Sequence, residues 1–257
     1  MSKIYIFGSG AGTEPIKGTH HTAWALEVNS KIYWFDAGEE CAYTAMSMGI
    51  DFSKIAGIFI SHMHIDHTAG LFGLMHTIMK RASMYDEEPL DNTIKLYLPE
   101  KDAWKPLETL TDMMGMKAFP TEVKASYIAD GLIFADENIK IYALHNRHLQ
   151  KEEGDGWKSY SFLIETKEKR IVYSGDVSSP EELDPLFDAP VDMLLIETGH
   201  HKLDMICDYV NARKINGCVF VHNGRAILND YNGSLAFVKE NMKCPAEISK
   251  DQTVIEL

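Results

Sequence analysis

Much is missing from this chain, and each absence excludes something. Only four cysteines occur among 257 residues, at 41, 207, 218 and 244, and none forms a CxxC pair. A disulfide-stapled scaffold is therefore not expected, and the thiols read as reduced and packed. No apolar run approaches the length of a membrane span, so no membrane partner is expected. The opening residues, Met1 to Phe7, pass directly into a strand pattern without signal-peptide architecture, which points to the cytoplasm. No Pro-, Gly- or Ser-rich stretch is long enough for a linker, so one domain spanning 1–257 is the expectation. Positive charge is also scarce: 25 Lys and Arg face 38 Asp and Glu, for a net −13. Nucleic acid binding draws most of its strength from basic patches, so this balance weighs against nucleic acid and favours a small substrate. A homodimer remains compatible with all of this.

What the chain does have is a 45% hydrophobic composition, enough for a full core, and one dense cluster of chemistry. In Ser61 to Gly70, SHMHIDHTAG, His62, His64, Asp66 and His67 fall within six positions. All four side chains bind borderline divalent metals through nitrogen or oxygen. The β-branched run Ile58-Phe59-Ile60 precedes them as a buried strand, and Thr68 to Lys80 follows with helical spacing. The cluster is thus placed on a strand-to-helix turn.

Elsewhere strands alternate with helices. Lys3–Phe7 is a strand entering GSGAG at 8–12. That loop lacks the third glycine of a dinucleotide fingerprint and the Lys-Ser/Thr of a phosphate-binding loop, so it reads as a tight turn. Trp24–Val28 and Lys31–Phe35 form a hairpin across Asn29-Ser30, ending in Asp36-Ala-Gly-Glu-Glu40. Residues 82–93 read as a surface loop, Ile94–Leu98 as a strand, Asp102–Met114 as a helix, and 115–135 as holding short strands. Ile139–Leu144 is a strand ending in His145-Asn-Arg-His148, followed by a charged loop from Leu149 to Lys158. Ser159–Glu165, Arg170–Tyr173, Asp192–Glu197 and Gly217–Val221 are strands; Pro180–Phe187, His201–Arg213 and Leu235–Met242 are helices. His20 and His21 read as solvated, and the methionines of the helices (75, 79, 113, 114, 116) as core filler.

Four strands, ending near 61, 144, 173 and 221, release loops bearing His or Asp. Such C-terminal loops converge on one rim of an α/β structure, where ligands bind. His62, His64, Asp66, His67, one of His145 and His148, Asp176 and His222 make up a ligand set for two metals sharing a carboxylate.

These motifs, in this order (FDAGEE, SHMHIDH, His148, YSGD ending at Asp176, and HNGR from His222), resemble those of the metallo-β-lactamase superfamily. The GSGAGTEP opening and HNGR are most similar to its ribonuclease Z and phosphodiesterase branch. The resemblance implies a four-layer αββα sandwich of two mixed sheets flanked by helices, in the α/β (α+β) class. It implies that His62, His64 and His148 hold one divalent ion, that Asp66, His67 and His222 hold a second, and that Asp176 bridges. A hydroxide between the ions would be the nucleophile, with the metal ligand Asp66 also counted as catalytic. His200 would be general acid, Arg225 and Asn223 would contact substrate, and Asp36 and Glu197 would support the ligands from behind. Zinc is the implied metal, with manganese or iron alternatives, since imidazole and carboxylate suit all three.

Two departures shape the functional expectation. Ile196 stands where the ribonucleases carry a histidine, and the 149–158 segment is too short and mixed in charge to be their basic arm. A dinuclear hydrolase of a small-molecule or nucleotide phosphodiester is therefore expected. The alternatives are hydrolysis of a lactone, thioester or β-lactam on the same site, or endonucleolytic tRNA 3′ processing. A non-hydrolytic iron or redox role is disfavoured, because no metal histidine is replaced and no flavin domain is attached.

Overall fold

The computed structural model describes residues 2–149 and 157–257. The charged loop expected between Leu149 and Lys158 lies, from 150 to 156, outside the described residues. The chain divides into two compact units: 1–8, 20–128 and 251–257 form the first, and 9–19 with 129–250 the second.

The first unit is built on seven strands: β1 (Ser2–Gly8), β2 (Ala23–Val28), β3 (Lys31–Phe35), β4 (Ile55–Phe59), β5 (Thr93–Leu98), β6 (Glu122–Tyr127) and β14 (Val254–Glu256), in the order β14-β1-β2-β3-β4-β5-β6. Pairing is antiparallel from β14 to β3 and parallel from β3 to β6. The expected hairpin forms, with Asn29 and Ser30 both at positive φ (51° and 66°), the geometry that a tight primed turn demands. Two helices cover one face of the sheet, α1 (Cys41–Ser47) and α3 (Leu71–Tyr85); between them in sequence lies the single turn α2 (Ile65–Thr68). Leu71, Leu74, Met75, Ile78, Met79 and Ala82 repeat at helical spacing and are buried against Trp34, Ile58 and Leu96. Each large apolar side chain so buried stabilises by about 1.5–3 kcal/mol. On the alternate residues of the strands, Trp24, Phe35, Phe59 and Tyr97 stack in sequence across four strands.

The second unit repeats the plan. β7 (Gly131–Ala135), β8 (Ile139–His145), β9 (Tyr160–Thr166) and β10 (Arg170–Tyr173) pair antiparallel; β10, β11 (Met193–Glu197), β12 (Cys218–Val221) and β13 (Ala246–Ile248) pair parallel. Helix α5 (Leu203–Asn211) buries Ile206, Cys207 and Val210, and α7 (Tyr231–Asn241) buries Val238, against Val172, Leu194, Ile196 and Phe220. Two mixed seven-stranded sheets with packed helices make this an α/β structure.

Several expectations need correction. Helix α3 runs to Tyr85 because its apolar period persists to Ala82, so the loop begins later than residue 82. Gly70 breaks the expected 68–80 helix; a β-carbon there would meet Cys41 Sγ at 2.8 Å. Helix α4 (Trp104–Met113) leaves Met113 81% exposed, and Met114 beyond it is exposed too, so neither fills the core. The Pro180–Leu186 segment is a 3-10 helix. His21 is not solvated: its ring pairs with Glu39 at 2.5 Å and is 17% exposed.

Candidate metal centre

In the first unit, β3 and β4 are parallel neighbours, so the loops leaving their C-terminal ends emerge side by side. Asp36 follows β3 with φ 53°, and its amide is held by Phe59 of β4. An aspartate in the left-handed region is tolerated but costs about a kcal/mol or more, and such strain gathers at functional sites. The strained turn aims the carboxylate across to β4. Ser61 donates its amide to Asp36 Oδ1 at 2.7 Å and its hydroxyl to Oδ2 at 2.8 Å. His67 Nδ1 donates to Oδ2 at 2.9 Å, with both side chains fully buried. That hydrogen bond selects the tautomer of His67 whose Nε2 carries the lone pair. His67 Nε2 then lies 3.5 Å from Asp66 Oδ2. The His62 ring is 4.6 Å from His64 and 4.1 Å from His67.

The second unit supplies three adjacent parallel strands, and with them Asp176 after β10, Glu197 at the end of β11 and His222 after β12. His222, like Asp36, has positive φ (49°). Asp176 Oδ2 lies 3.3 Å from His222 Nε2, 3.7 Å from His148 Nε2 and 3.9 Å from His200 Nδ1. These separations are mostly too long for hydrogen bonds. The two to His222 and His148 suit metal ligands, since two donors about 2.0–2.1 Å from a tetrahedral metal sit roughly 3.4 Å apart, whereas His200 Nδ1 donates to Glu197. Ligand atoms of Asp176, Glu197, His200 and His222 all lie within 4.8 Å of one another. The donors gathered around Asp176 in the second unit thus have the imidazole and carboxylate chemistry of a divalent-metal site.

Glu197 is fully buried and collects donors. His200 donates through its amide and through Nδ1, each at 3.0 Å, and the Val177 amide donates at 3.1 Å. Burial opposes ionisation of Glu197, but the hydrogen bond from His200 and the nearby His222 outweigh it and hold the carboxyl down at about 2. The same hydrogen bond raises the pKa of His200.

The remaining candidates divide. His145, left open beside His148, hydrogen-bonds Asp130 through Nδ1 at 2.7 Å and stacks on Trp157 at 4.1 Å, so it is engaged elsewhere. Asn223 is buried, donating to Ser249 O at 2.9 Å and accepting from Thr198, a strut within the fold. Arg225 is exposed at the start of α6 (Arg225–Asn229) and forms a two-pronged ion pair with Glu14. Ser61 and His201 also make contacts at the site, to Asp36 and to Val177 O, that no local motif marks. Ser61 opens the SHMH motif, but nothing in its neighbourhood in the chain announces a partner 25 positions away.

The fold has clear counterparts. The metallo-β-lactamase fold protein YhfI from Bacillus subtilis superposes with a TM-score of 0.76 at 16% identity, covering 100% of this chain and 99% of that one. Human tRNase Z, short form, gives 0.70 at 19% identity over 99% and 98% of the two chains. Yeast PDE1 gives 0.65 at 13% identity over 100% and 99%. Ribonuclease Z of Listeria welshimeri is 30% identical over 190 residues, 72% of this chain and 56% of that protein. The chain spans about half the length of the curated relatives it matches. These likenesses define the class by fold and sequence: the chain has the fold of the metallo-β-lactamase fold protein YhfI and is similar to ribonuclease Z. A family model described as Anti-Pycsar protein Apyc1 matches residues 2–205, and the chain belongs to that family.

Proposed function

We propose that the two units act as one domain, a dinuclear metal-dependent hydrolase of a small-molecule or nucleotide phosphodiester. The observation that carries this reading is the pair of histidine nitrogens, His222 Nε2 and His148 Nε2, at 3.3 and 3.7 Å from Asp176 Oδ2. His62, His64 and His148 would hold one ion, Asp66, His67 and His222 the other, with Asp176 shared. Divalent ions so held supply Lewis acidity, bringing the pKa of bound water toward about 7 and offsetting charge on a phosphoryl oxygen. Zinc suits this donor set, as do manganese and iron.

The chain's own groups do the rest. Asp36 orients His67, and Glu197 orients His200. His200 is 43% exposed and has a raised pKa, which suits a general acid that hands its proton to the leaving oxygen. Arg225 would contact an anionic substrate once it parts from Glu14. The net charge of −13 supports a small substrate over tRNA. Neighbours named as yeast PDE1 and as a diphosphatase of the PhnP family support phosphoester chemistry. The ribonuclease Z relatives favour tRNA 3′ processing as the second reading, and lactone or thioester hydrolysis is the third.

The test combines metal analysis of protein purified without chelators with hydrolysis of bis-p-nitrophenyl phosphate, a lactone panel and a tRNA precursor. Two equivalents of metal, diesterase activity and its loss in Asp66→Ala are expected. Less than one metal per chain would sink the metal reading; activity confined to the lactones or the precursor would replace the substrate class.

A further inference from the structure

We propose that His201 is a positioning residue that fixes Asp176 through the backbone of Val177, a role that rests on the metal reading above. Asp176 Oδ2 faces His148, His200 and His222, so its carboxylate must be held accurately. The loop that carries it, 174–177, is pinned on both sides. Ser174 donates its amide to Leu195 O at 2.9 Å and its hydroxyl to Gly175 O at 2.6 Å. Beyond Asp176, the Val177 amide donates to Glu197 Oε1 at 3.1 Å, and the Val177 carbonyl accepts from His201 Nε2 at 3.0 Å.

The planarity of the peptide bond gives these contacts their reach. The Val177 amide belongs to the same plane as the Asp176 carbonyl and α-carbon, so Glu197 orients that plane directly. His201 fixes the next plane and thereby removes the swing about Val177 that would let the first relax. A carbonyl oxygen only accepts, so His201 carries its proton on Nε2. Its ring is 7% exposed and sits 3.6 Å from Glu197 Oε1, beyond hydrogen-bond length, while that oxygen is already occupied by the Val177 amide and His200. His201 therefore acts on the loop itself. It lies just before α5, which anchors it to the core of the second unit. A packed histidine with no such role would tolerate any apolar replacement of similar size.

The experiment uses the full chain with zinc as probe, titrated against a competing chelator, with thermal unfolding of the metal-free forms alongside. His201→Gln keeps a donor at nearly the reach of Nε2, whereas His201→Leu fills the space without one. Expected are a loss of about tenfold or more in zinc affinity for His201→Leu, the size typical of groups that orient metal ligands, and near wild-type affinity for His201→Gln. The two metal-free variants should unfold at similar temperatures. Should His201→Leu not fold, His201→Asn takes its place, since its shorter amide falls short of the Val177 carbonyl and should bind as weakly. Wild-type affinity in the donor-lacking variant, or no rescue by glutamine, overturns the proposal while leaving the metal reading intact. A wild-type chain that binds no zinc overturns both.

Discussion

His67 Nδ1 reaches Asp36 Oδ2 across 2.9 Å, from 31 positions away in the chain, and neither side chain is exposed. Replacing Asp36 by alanine would leave His67 and both donors of Ser61 without their acceptor in a dry interior. Breaking such a buried pair costs about 3–5 kcal/mol. Asp36→Ala should therefore unfold at markedly lower urea, and Asp36→Asn, which keeps an oxygen acceptor, should recover part of the loss. An unchanged urea midpoint for Asp36→Ala would contradict this account.

Metal removal should be felt as stability as well as activity. A ligand present at a thousand times its Kd stabilises by about 4 kcal/mol. For a chain of this size that corresponds to a melting temperature roughly 10 °C lower after chelation. Scanning calorimetry with and without chelator reads the shift, and added zinc should restore it.

Glu197 and His200 give the metal-free chain a bounded pH optimum. Glu197, held at about 2 against an ordinary 4.5, contributes stability that is present above 4.5 and lost as pH falls toward 2. His200, raised above 6.5, contributes stability that is complete below 6.5 and lost as pH rises through its folded value. His200→Gln should remove the alkaline limb of that dependence. The check is urea midpoint against pH in chelated protein, where an identical alkaline limb in the variant would refute the assignment. His200 is part exposed, so added salt should shallow the limb in the parent chain.

Two glycines of the same neighbourhood should respond oppositely. At Gly70 a β-carbon would collide with the Gly38 carbonyl and with Cys41 Sγ, while at Gly73, inside α3, it would meet nothing within 4 Å. Gly70→Ala should cost about 1–3 kcal/mol or more through overpacking. Gly73→Ala should stabilise by about 0.5–1 kcal/mol, the helix preference of alanine over glycine. Chemical denaturation of the two variants separates the cases.

Glu14 holds Arg225 in an exposed ion pair. If Arg225 meets the substrate, Glu14→Gln should lower KM for an anionic diester several-fold with kcat little changed, and Arg225→Gln should raise it. Steady-state kinetics at low ionic strength show the difference most clearly.

The strands were readable wherever they alternate or run apolar, as in Lys31–Phe35 and Met193–Glu197, because period and burial are local properties. The candidate ligands His62, His64, Asp66 and His67 stood out for the same local reason, since they lie within six positions. Elements whose stability comes from docking did not. Helix α1, short and uncapped by any side chain, and β13, three residues long at a sheet edge, carry too little local signal to stand out. Met113 and Met114 show the converse, apolar residues that the chain leaves in water.

The sequence by itself determined the candidate ligands, their order along the chain and the α/β alternation that delivers them at strand ends. Only the tertiary structure decided what stands behind each one. Parallel pairing of β3 with β4 set Ser61 and His67 on Asp36, and parallel pairing of β10, β11 and β12 set Glu197 beside Asp176 and His222. Hydrogen bonds of this kind depend on which strands become neighbours. That choice is made by the packing of whole sheets, and so it is not written at any one position in the chain.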